Sequence, residues 1–373
     1  MSDIIKIIIP WGSLPDEILT NIFVFLPIKS IIICTSVSKA WKSLIKNSTF
    51  ISTHLHHSLS KNQNLLFIGL CSESENQKEF YALHNEDDAY FTQHARFDYP
   101  YNRKYSVVGT CNGLLLLSDD TNISFCLRNP CVGKLPKLPS HNITYATHGR
   151  FGASIGFGFY PKTKDYKVVR VVTLLGNFDV GNTRPQVEIY TLSTGQWRML
   201  RTDLATICAL IRTNPQTFIN GALHWVAFRF SDNNIHNFVL VFDLGEEVFH
   251  EILLPDFRGH RGLISGTISV YRNSIAFFQK GNDFLHISLM KEYGVVSSWA
   301  QVFSSPLDFF GASDSIQRAL GFRRNGEVIL KLDGGRLISL DLETREIKDL
   351  RIMGYKKTIV DYYVESLVLL DQQ

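Results

Sequence analysis

The chain has 373 residues, 45% of them hydrophobic and 20% charged, with a formal net charge of +3. That apolar fraction supports a sizeable core and excludes an intrinsically disordered chain. The near-neutral balance excludes a chain that binds nucleic acid by bulk charge.

Residues 1–13 read as an N-terminal tail. Their apolar run is broken by Lys6 and stopped by Pro10, too short for a signal-peptide core and without a cleavage site. Ile22–Val37 is apolar but interrupted by Pro27, Lys29 and Ser30, so no membrane span is expected. The six cysteines (34, 71, 111, 126, 131 and 208) include no CxxC pair and suit buried thiols of a reducing compartment. Without a secretory signal the sequons at Asn47, Asn122 and Asn142 carry no weight. The expected address is the cytoplasm, with the nucleus as a second.

Residues 14–55 read as a helical domain. Ser13 can cap a first helix, Pro15 suits its first turn, and Asp16 and Glu17 face the positive end of the dipole. Pro27 should end that helix near Leu26, because proline lacks the N–H and clashes one turn back. Further helices are expected over Ser30–Val37, over Ser38–Ile45, and from the Asn47/Ser48 cap through Phe50, Ile51 and Leu55. On the first helix Ile18, Ile22 and Phe25 form one stripe, and Leu19, Phe23 and Leu26 the next. That arc is wider than one core needs. Of these 42 residues 21 are apolar, and a unit this small rarely stabilises itself. Part of the surface should therefore lie against something else, and periodicity alone does not choose between the body of the chain and a partner.

After a linker at 56–63, residues 64–373 read as strand and turn. One repeated unit is a turn followed by an apolar strand, starting at Asn112, Asp165, Asn220, Asn273 and Asn325, with Asn64 as a sixth. The five are separated by 53, 55, 53 and 52 residues. A second unit, strand–tight turn–strand, lies out of phase with it, at Leu127–Lys134, Tyr190–Trp197, Phe242–Phe249, Met290–Trp299 and Leu340–Ile347. Two interleaved sets at about 50 residues mean roughly four strands per repeat, the period of a kelch-type propeller blade. The expected fold is thus α+β by segments: a small all-α unit, then an all-β propeller of about six blades. Tyr362–Leu370 is expected to close the ring beside an N-terminal strand.

Leu14-Pro15-x-Glu17-Ile18-Leu19, Phe25-Leu26-Pro27-Ile28-Lys29-Ser30, Val37-x-Lys39-x-Trp41-x-x-Leu44-Ile45 and Phe50…His54-Leu55 together resemble the F-box of plant F-box proteins, departing from its usual pattern at Ile31-Ile32-Ile33. Ser106–Leu117, Gly156–Pro161 with Asp165–Val168, Asn220–Trp225, Met290–Gly294, Leu332–Gly335 and Tyr363–Leu367 resemble the F-box-associated domain of the same family, including its S-locus F-box-like branch. The resemblance implies a subunit that binds a Skp-type adaptor and, through it, the cullin and RING subunits of a ubiquitin ligase. Docking would run through Leu14, Pro15, Ile18, Ile22, Leu26, Pro27 and Ile31, with Trp41 bracing the helices. No cofactor is implied; the charge and hydropathy above leave no nucleic-acid or membrane partner expected, and the motifs below leave no metal or catalytic residue expected.

Other motifs lack their context. Gly152-Ala-Ser154-Ile-Gly156 matches the GxSxG nucleophile elbow, but a β run rather than a helix follows it. His54 and His57 share a helical face without a nearby carboxylate or cysteine, and Glu86–Asp88, Asp119-Asp120 and Glu246-Glu247 read as solvated turns. Trp197, Trp225 and Trp299 are expected between blades. Basic residues gather in long loops: His148 and Arg150, Arg184, Arg229, Arg258 and Arg261. If these loops share one end of the ring they make a mouth for an acidic or phosphorylated target; otherwise they are scattered surface charge. The expected function is a substrate receptor for protein ubiquitination. The alternatives are a non-degradative scaffold or sequestering protein, and a propeller enzyme.

Overall fold

The structure is a computed structural model. It describes residues 14–371 except 62–64, 73–77, 87–90, 99–104, 120–121, 175–184, 202–208, 212–215, 232–233, 256–263, 265, 282, 310–313 and 356–357. Four helices open the described chain: α1 (Asp16–Val24), α2 (Ile28–Cys34), α3 (Lys39–Ile45) and α4 (Ser48–Ser60). Each start has a local cause. Pro15 and Pro27 occupy the N-cap positions of α1 and α2, where a missing N–H costs nothing. Ser38 Oγ accepts the Trp41 N–H and Asn47 Oδ1 the Thr49 N–H, capping α3 and α4. Two expected boundaries move. Pro27 opens α2 rather than only closing α1, which stops at Val24. Helix α4 runs to Ser60, through most of the expected linker. The proposed Ser13 cap lies outside the described residues.

Six antiparallel sheets follow. Blade one begins with β1 (Leu65–Ser72), β2 (Lys78–Asn85) and β3 (Gln93–Asp98), and blade two holds β4 (Tyr105–Cys111), β5 (Leu114–Asp119) and β6 (Phe125–Arg128). A short helix, α5 (Tyr145–His148), leads to blade three: β7 (Phe151–Tyr160), β8 (Asp165–Leu174), β9 (Gln186–Thr191) and β10 (Gln196–Leu200). Blade four holds β11 (Ala209–Ile211) and β12 (Thr217–Ile219), both paired to β13 (Ala222–Ser231), then β14 (Asn234–Asp243) and β15 (Phe249–Leu253). Blade five is β16 (Gly266–Tyr271), β17 (Ser274–Lys280), β18 (Phe284–Met290) and β19 (Trp299–Pro306), and blade six is β20 (Ile316–Phe322), β21 (Val328–Leu332), β22 (Arg336–Leu340) and β23 (Ile347–Met353). The last strand, β24 (Val360–Tyr363), pairs with β1 and completes blade one. The fold is a six-bladed propeller carrying a helical unit at its N-terminus.

The two sequence repeats are now explained. The turn-then-strand units start the second strand of each blade: β1, β5, β8, β13, β17 and β21. The out-of-phase units follow the third strand, and in blades three to six they connect it to the outer one. Asn112-Gly113 and Asn220-Gly221 are two-residue hairpin loops with both residues at positive φ, the conformation that favours Asn-Gly. The tryptophans link blades through their indole N–H groups. Trp225 donates to Ile155 O (3.2 Å), Trp197 to Pro139 O (2.9 Å) and Trp299 to Leu253 O (3.0 Å).

Ring closure differs from the expected Tyr362–Leu370 strand. Only Val360–Tyr363 pairs, in register Leu65↔Tyr363 to Ile68↔Val360. The residues beyond it turn back onto blade two. Buried Asn129 holds them: its Nδ2 donates to Ser366 O (2.9 Å) and Val368 O (2.8 Å), while its Oδ1 accepts the Cys131 N–H (2.9 Å). The Tyr363 hydroxyl donates to Gly113 O (3.1 Å). Leu367–Leu370 then join one continuous apolar cluster with Leu19, Phe23, Ile31, Ile45 and Phe50 of the helices and Leu114 and Leu116 of blade two. Asn129→Ala should cost about 1–3 kcal/mol, because it strands two buried carbonyls. Denaturant unfolding, with limited proteolysis of the C-terminal segment, checks this; an unchanged midpoint contradicts it.

Candidate functional site

Strand direction sorts the connections onto two ends of the ring. The tight hairpins, the start of β1 and the C-terminal segment share one end, so α4 hands the chain to the propeller there. The connections entering the inner strands, such as 139–150 before β7, lie at the opposite end.

At the helical end, α1 divides its two apolar stripes. Leu19 and Phe23 are buried, and Phe23 packs edge-on against Trp41 with centroids 4.9 Å apart and against Phe50 at 6.4 Å. Trp41 thus braces α1 against α3. The other stripe faces out, with Ile18 46%, Ile22 38% and Phe25 64% exposed. Pro15 and Pro27 are exposed beside it, and Leu14 and Leu26 are half-buried. Ile31 was expected on this surface, but it is fully buried. It faces inward from α2 and belongs to the core. Two exposed apolar residues were missed, Ile33 and Val37. Their signal was the departure at Ile31-Ile32-Ile33, since three consecutive isoleucines cannot all face inward on one helix. Phe25 also packs edge-on against His57 at 4.7 Å and lies under the Lys61 ammonium. His54 is buried in the helical core, where burial pulls its imidazole down to about 4, so it stays neutral.

At the opposite end, residues 141–150 are described throughout and are held from below. Arg170 on β8 and Glu188 on β9 form an ion pair with both side chains fully buried, Nη1 to Oε2 2.6 Å. Glu188 Oε1 also accepts the N–H groups of Asn142 (2.7 Å) and Ile143 (3.1 Å), and Arg170 Nη1 donates to Ile143 O (2.9 Å). Burial pulls the Arg170 guanidinium down, and Glu188 opposes that shift. A capping box between Thr144 and Thr147 starts α5. Tyr145 stacks on Phe151 at 4.3 Å yet stays exposed, and His148 and Arg150 are exposed beside it. The remaining basic candidates do not join them as a set. Arg229 is at this end of β13 but is ion-paired with Glu251 and lies over Phe238, so it is not a free cation. Arg184, Arg258 and Arg261 lie outside the described residues; the strands flanking them (β8 and β9, β15 and β16) have their adjoining termini at this end.

The discarded motifs sit in structural settings. Ser154 is buried mid-strand in β7, and Gly156 is a packing glycine, since a Cβ there would lie 2.5 Å from Trp225 Cζ2. Burial pushes the Cys131 thiol up to about 12 and the Cys111 thiol up as well. A thiol held protonated in this way is a poor nucleophile. Among the described residues no group of three or more His, Cys, Asp or Glu could hold a metal, and no helix is long and apolar enough to cross a membrane.

A helical docking unit with an outward apolar stripe, fused to a six-bladed propeller, defines an F-box-type architecture. The F-box associated beta propeller domain matches residues 71–313 and the F-box domain matches residues 11–53. The chain belongs to the F-box associated beta propeller family, with an F-box ahead of the propeller. It is 25% identical to the F-box protein CPR1 of Arabidopsis thaliana over 96% of this chain and 89% of the relative. It is 28% identical to the F-box protein At3g07870 of the same plant over 92% and 88%. The F-box/kelch-repeat protein At3g23880 is 26% identical over 87% and 89%. Among solved structures, an oligogalacturonate lyase in complex with manganese aligns over 78% of this chain and 74% of its own, with 7% identity and a TM-score of 0.43; so loose a superposition carries no argument.

The split of α1 makes opposite demands on neighbouring isoleucines. Ile18→Asp/Ile22→Asp should leave the thermal midpoint nearly unchanged, since exposed substitutions usually fall within about 0.5 kcal/mol. Ile31→Ala should cost about 2–5 kcal/mol as a buried truncation. Comparing the two by thermal unfolding tests the assignment; equal losses contradict it.

Proposed function

We propose that this protein is the substrate-recognition subunit of an SCF-type cullin–RING ubiquitin ligase. The single observation that carries the reading is the exposed Ile18/Ile22/Phe25 stripe, which lies at the end of the ring away from the long connections. A Skp-type adaptor covers that stripe together with Pro15, Pro27, Leu14 and Leu26, and cullin and RING subunits follow through the adaptor. Exposed Ile33 and Val37 extend the same surface along α2 and the turn after it. The target is held at the opposite end, where Tyr145, His148 and Arg150 are presented on a segment pinned by Arg170 and Glu188. The exposed ring and the two basic side chains favour a target segment that is acidic or phosphorylated.

In this reading the chain supplies binding and orientation, and transfer of ubiquitin is proximity catalysis by other subunits. It acts in the cytoplasm or nucleus. In cells, a protein that co-purifies with the wild-type chain should be ubiquitinated and short-lived, and Ile18→Asp/Ile22→Asp should lengthen its half-life while leaving its binding intact. Unchanged turnover with binding retained would instead mark a scaffold. Tyr145→Ala/Arg150→Ala should weaken target binding by roughly 10-fold or more, the effect of about 1.4 kcal/mol, and lower its salt dependence. Affinity measured at two ionic strengths checks this, and unchanged values contradict the proposed target face.

A further inference from the structure

The formal charge of the chain is concentrated at its helical end. Residues 14–61 hold Lys29, Lys39, Lys42, Lys46 and Lys61 against Asp16 and Glu17, a balance of +3, which is the whole net charge of the protein. The rest of the chain is therefore neutral. Both carboxylates lie in the first turn of α1, and none occurs from Ile18 to Lys61. Four of the lysines are exposed and Lys46 is half-buried. Among the described residues none of the five is ion-paired. The propeller differs, with ion pairs such as Lys167–Glu247, Arg170–Glu188, Arg229–Glu251 and Arg323–Glu327.

The uncompensated charge borders the exposed apolar residues. Lys61 Nζ lies 5.3 Å from the centroid of the Phe25 ring, at the end of the α1 stripe away from Asp16 and Glu17. The stripe thus runs from an acidic end at Ile18 to a basic end at Phe25. Lys39 and Lys42 are neighbours one turn apart on α3, and Lys39 is two residues from exposed Val37. Ser38 Oγ, which accepts the Trp41 N–H, fixes the start of α3, and Trp41 packs on Phe23 behind the stripe. Scattered surface lysines need no explanation, but soluble surfaces ordinarily intersperse both signs, and a field of one sign repels itself. All five cations are lysines, point charges without the planar fork by which arginine clamps a phosphate. That composition suits a broad acidic protein surface better than a single clamped phosphate.

We propose that the partner of the helical unit presents an apolar groove rimmed by carboxylates. The groove takes Ile18, Ile22 and Phe25, and the carboxylates lie opposite Lys61 at the Phe25 end and opposite Lys39 and Lys42 beside Val37. The inference rests on the docking reading above and adds the charge of the adaptor's contact face. Exposed lysine–carboxylate pairs contribute little to affinity. Complementary fields act on the encounter instead, so the lysines set the association rate and the apolar stripe the dissociation rate. The polarity of the stripe also fixes orientation, because a groove turned end for end would set its carboxylates against Asp16 and Glu17.

Stopped-flow association of the full chain with a purified Skp-type adaptor, at low and at physiological ionic strength, tests this. The association rate of the wild-type chain should fall by roughly 10-fold or more as salt rises, with the dissociation rate changing by less than about 2-fold. Lys39→Glu/Lys42→Glu and Lys61→Glu are exposed substitutions that should leave the thermal midpoint unchanged. Each should slow association several-fold and flatten its salt dependence. A complex that forms at one rate at both ionic strengths and in every variant overturns the proposal and leaves docking through the stripe standing. A folded wild-type chain that binds no adaptor at either ionic strength overturns both. Co-sedimentation of the chain with phosphatidylserine vesicles, without adaptor binding, would assign the surface to an anionic membrane and likewise overturn it.

Discussion

The pairing of Val360–Tyr363 with Leu65–Ile68 is the contact on which the rest of the molecule depends. An open ring would leave two sheet edges exposed, and closing it with strands from both ends of the propeller removes them. Closure also brings the start of β1 and the C-terminal segment to the same end of the ring. There Asn129 clamps Ser366 and Val368, and Leu367–Leu370 share one apolar cluster with the helices. The F-box is thus seated on the seam of the ring. Whatever loosens the seam loosens the platform on which the outward stripe of α1 stands.

The two ends answer different demands with the same economy. At the helical end, α1 buries Leu19 and Phe23 and leaves Ile18, Ile22 and Phe25 outside, so a 9-residue helix serves a core and a surface at once. At the other end, a fully buried ion pair positions a surface segment. A buried pair of this kind contributes little net stability. Its value here is geometric, because Glu188 receives two backbone N–H groups of the segment and Arg170 one carbonyl.

Much of this architecture was legible in the sequence because it rests on local rules. Asn-Gly pairs mark hairpin loops, and the turn-then-strand units to which they belong recur every 52–55 residues, the period of a blade. The two stripes of α1 were readable from spacing alone. The parts that were not legible are set by long-range packing. Ile31, Ile32 and Ile33 are chemically identical, and only the placement of α2 against the rest of the core decides that Ile31 is buried and Ile33 exposed. Arg229 is paired with Glu251, 22 residues away on β15 of the same sheet, a contact that no local pattern announces. The closing strand lies earlier in the chain than the apolar Leu367–Leu370 run suggests, because Asn129 takes the Ser366 and Val368 carbonyls and Leu367–Leu370 pack into the helical cluster instead.

The proposed docking runs through the outward stripe of α1 without help from the propeller's far end. Calorimetric titration of the purified chain with a purified Skp-type adaptor reads this contact alone. The wild-type chain should bind one-to-one, Ile18→Asp/Ile22→Asp should lose that binding, and Tyr145→Ala/Arg150→Ala should retain it in full. Equal affinity of the wild-type and Ile18→Asp/Ile22→Asp chains, both folded, would contradict docking through this stripe.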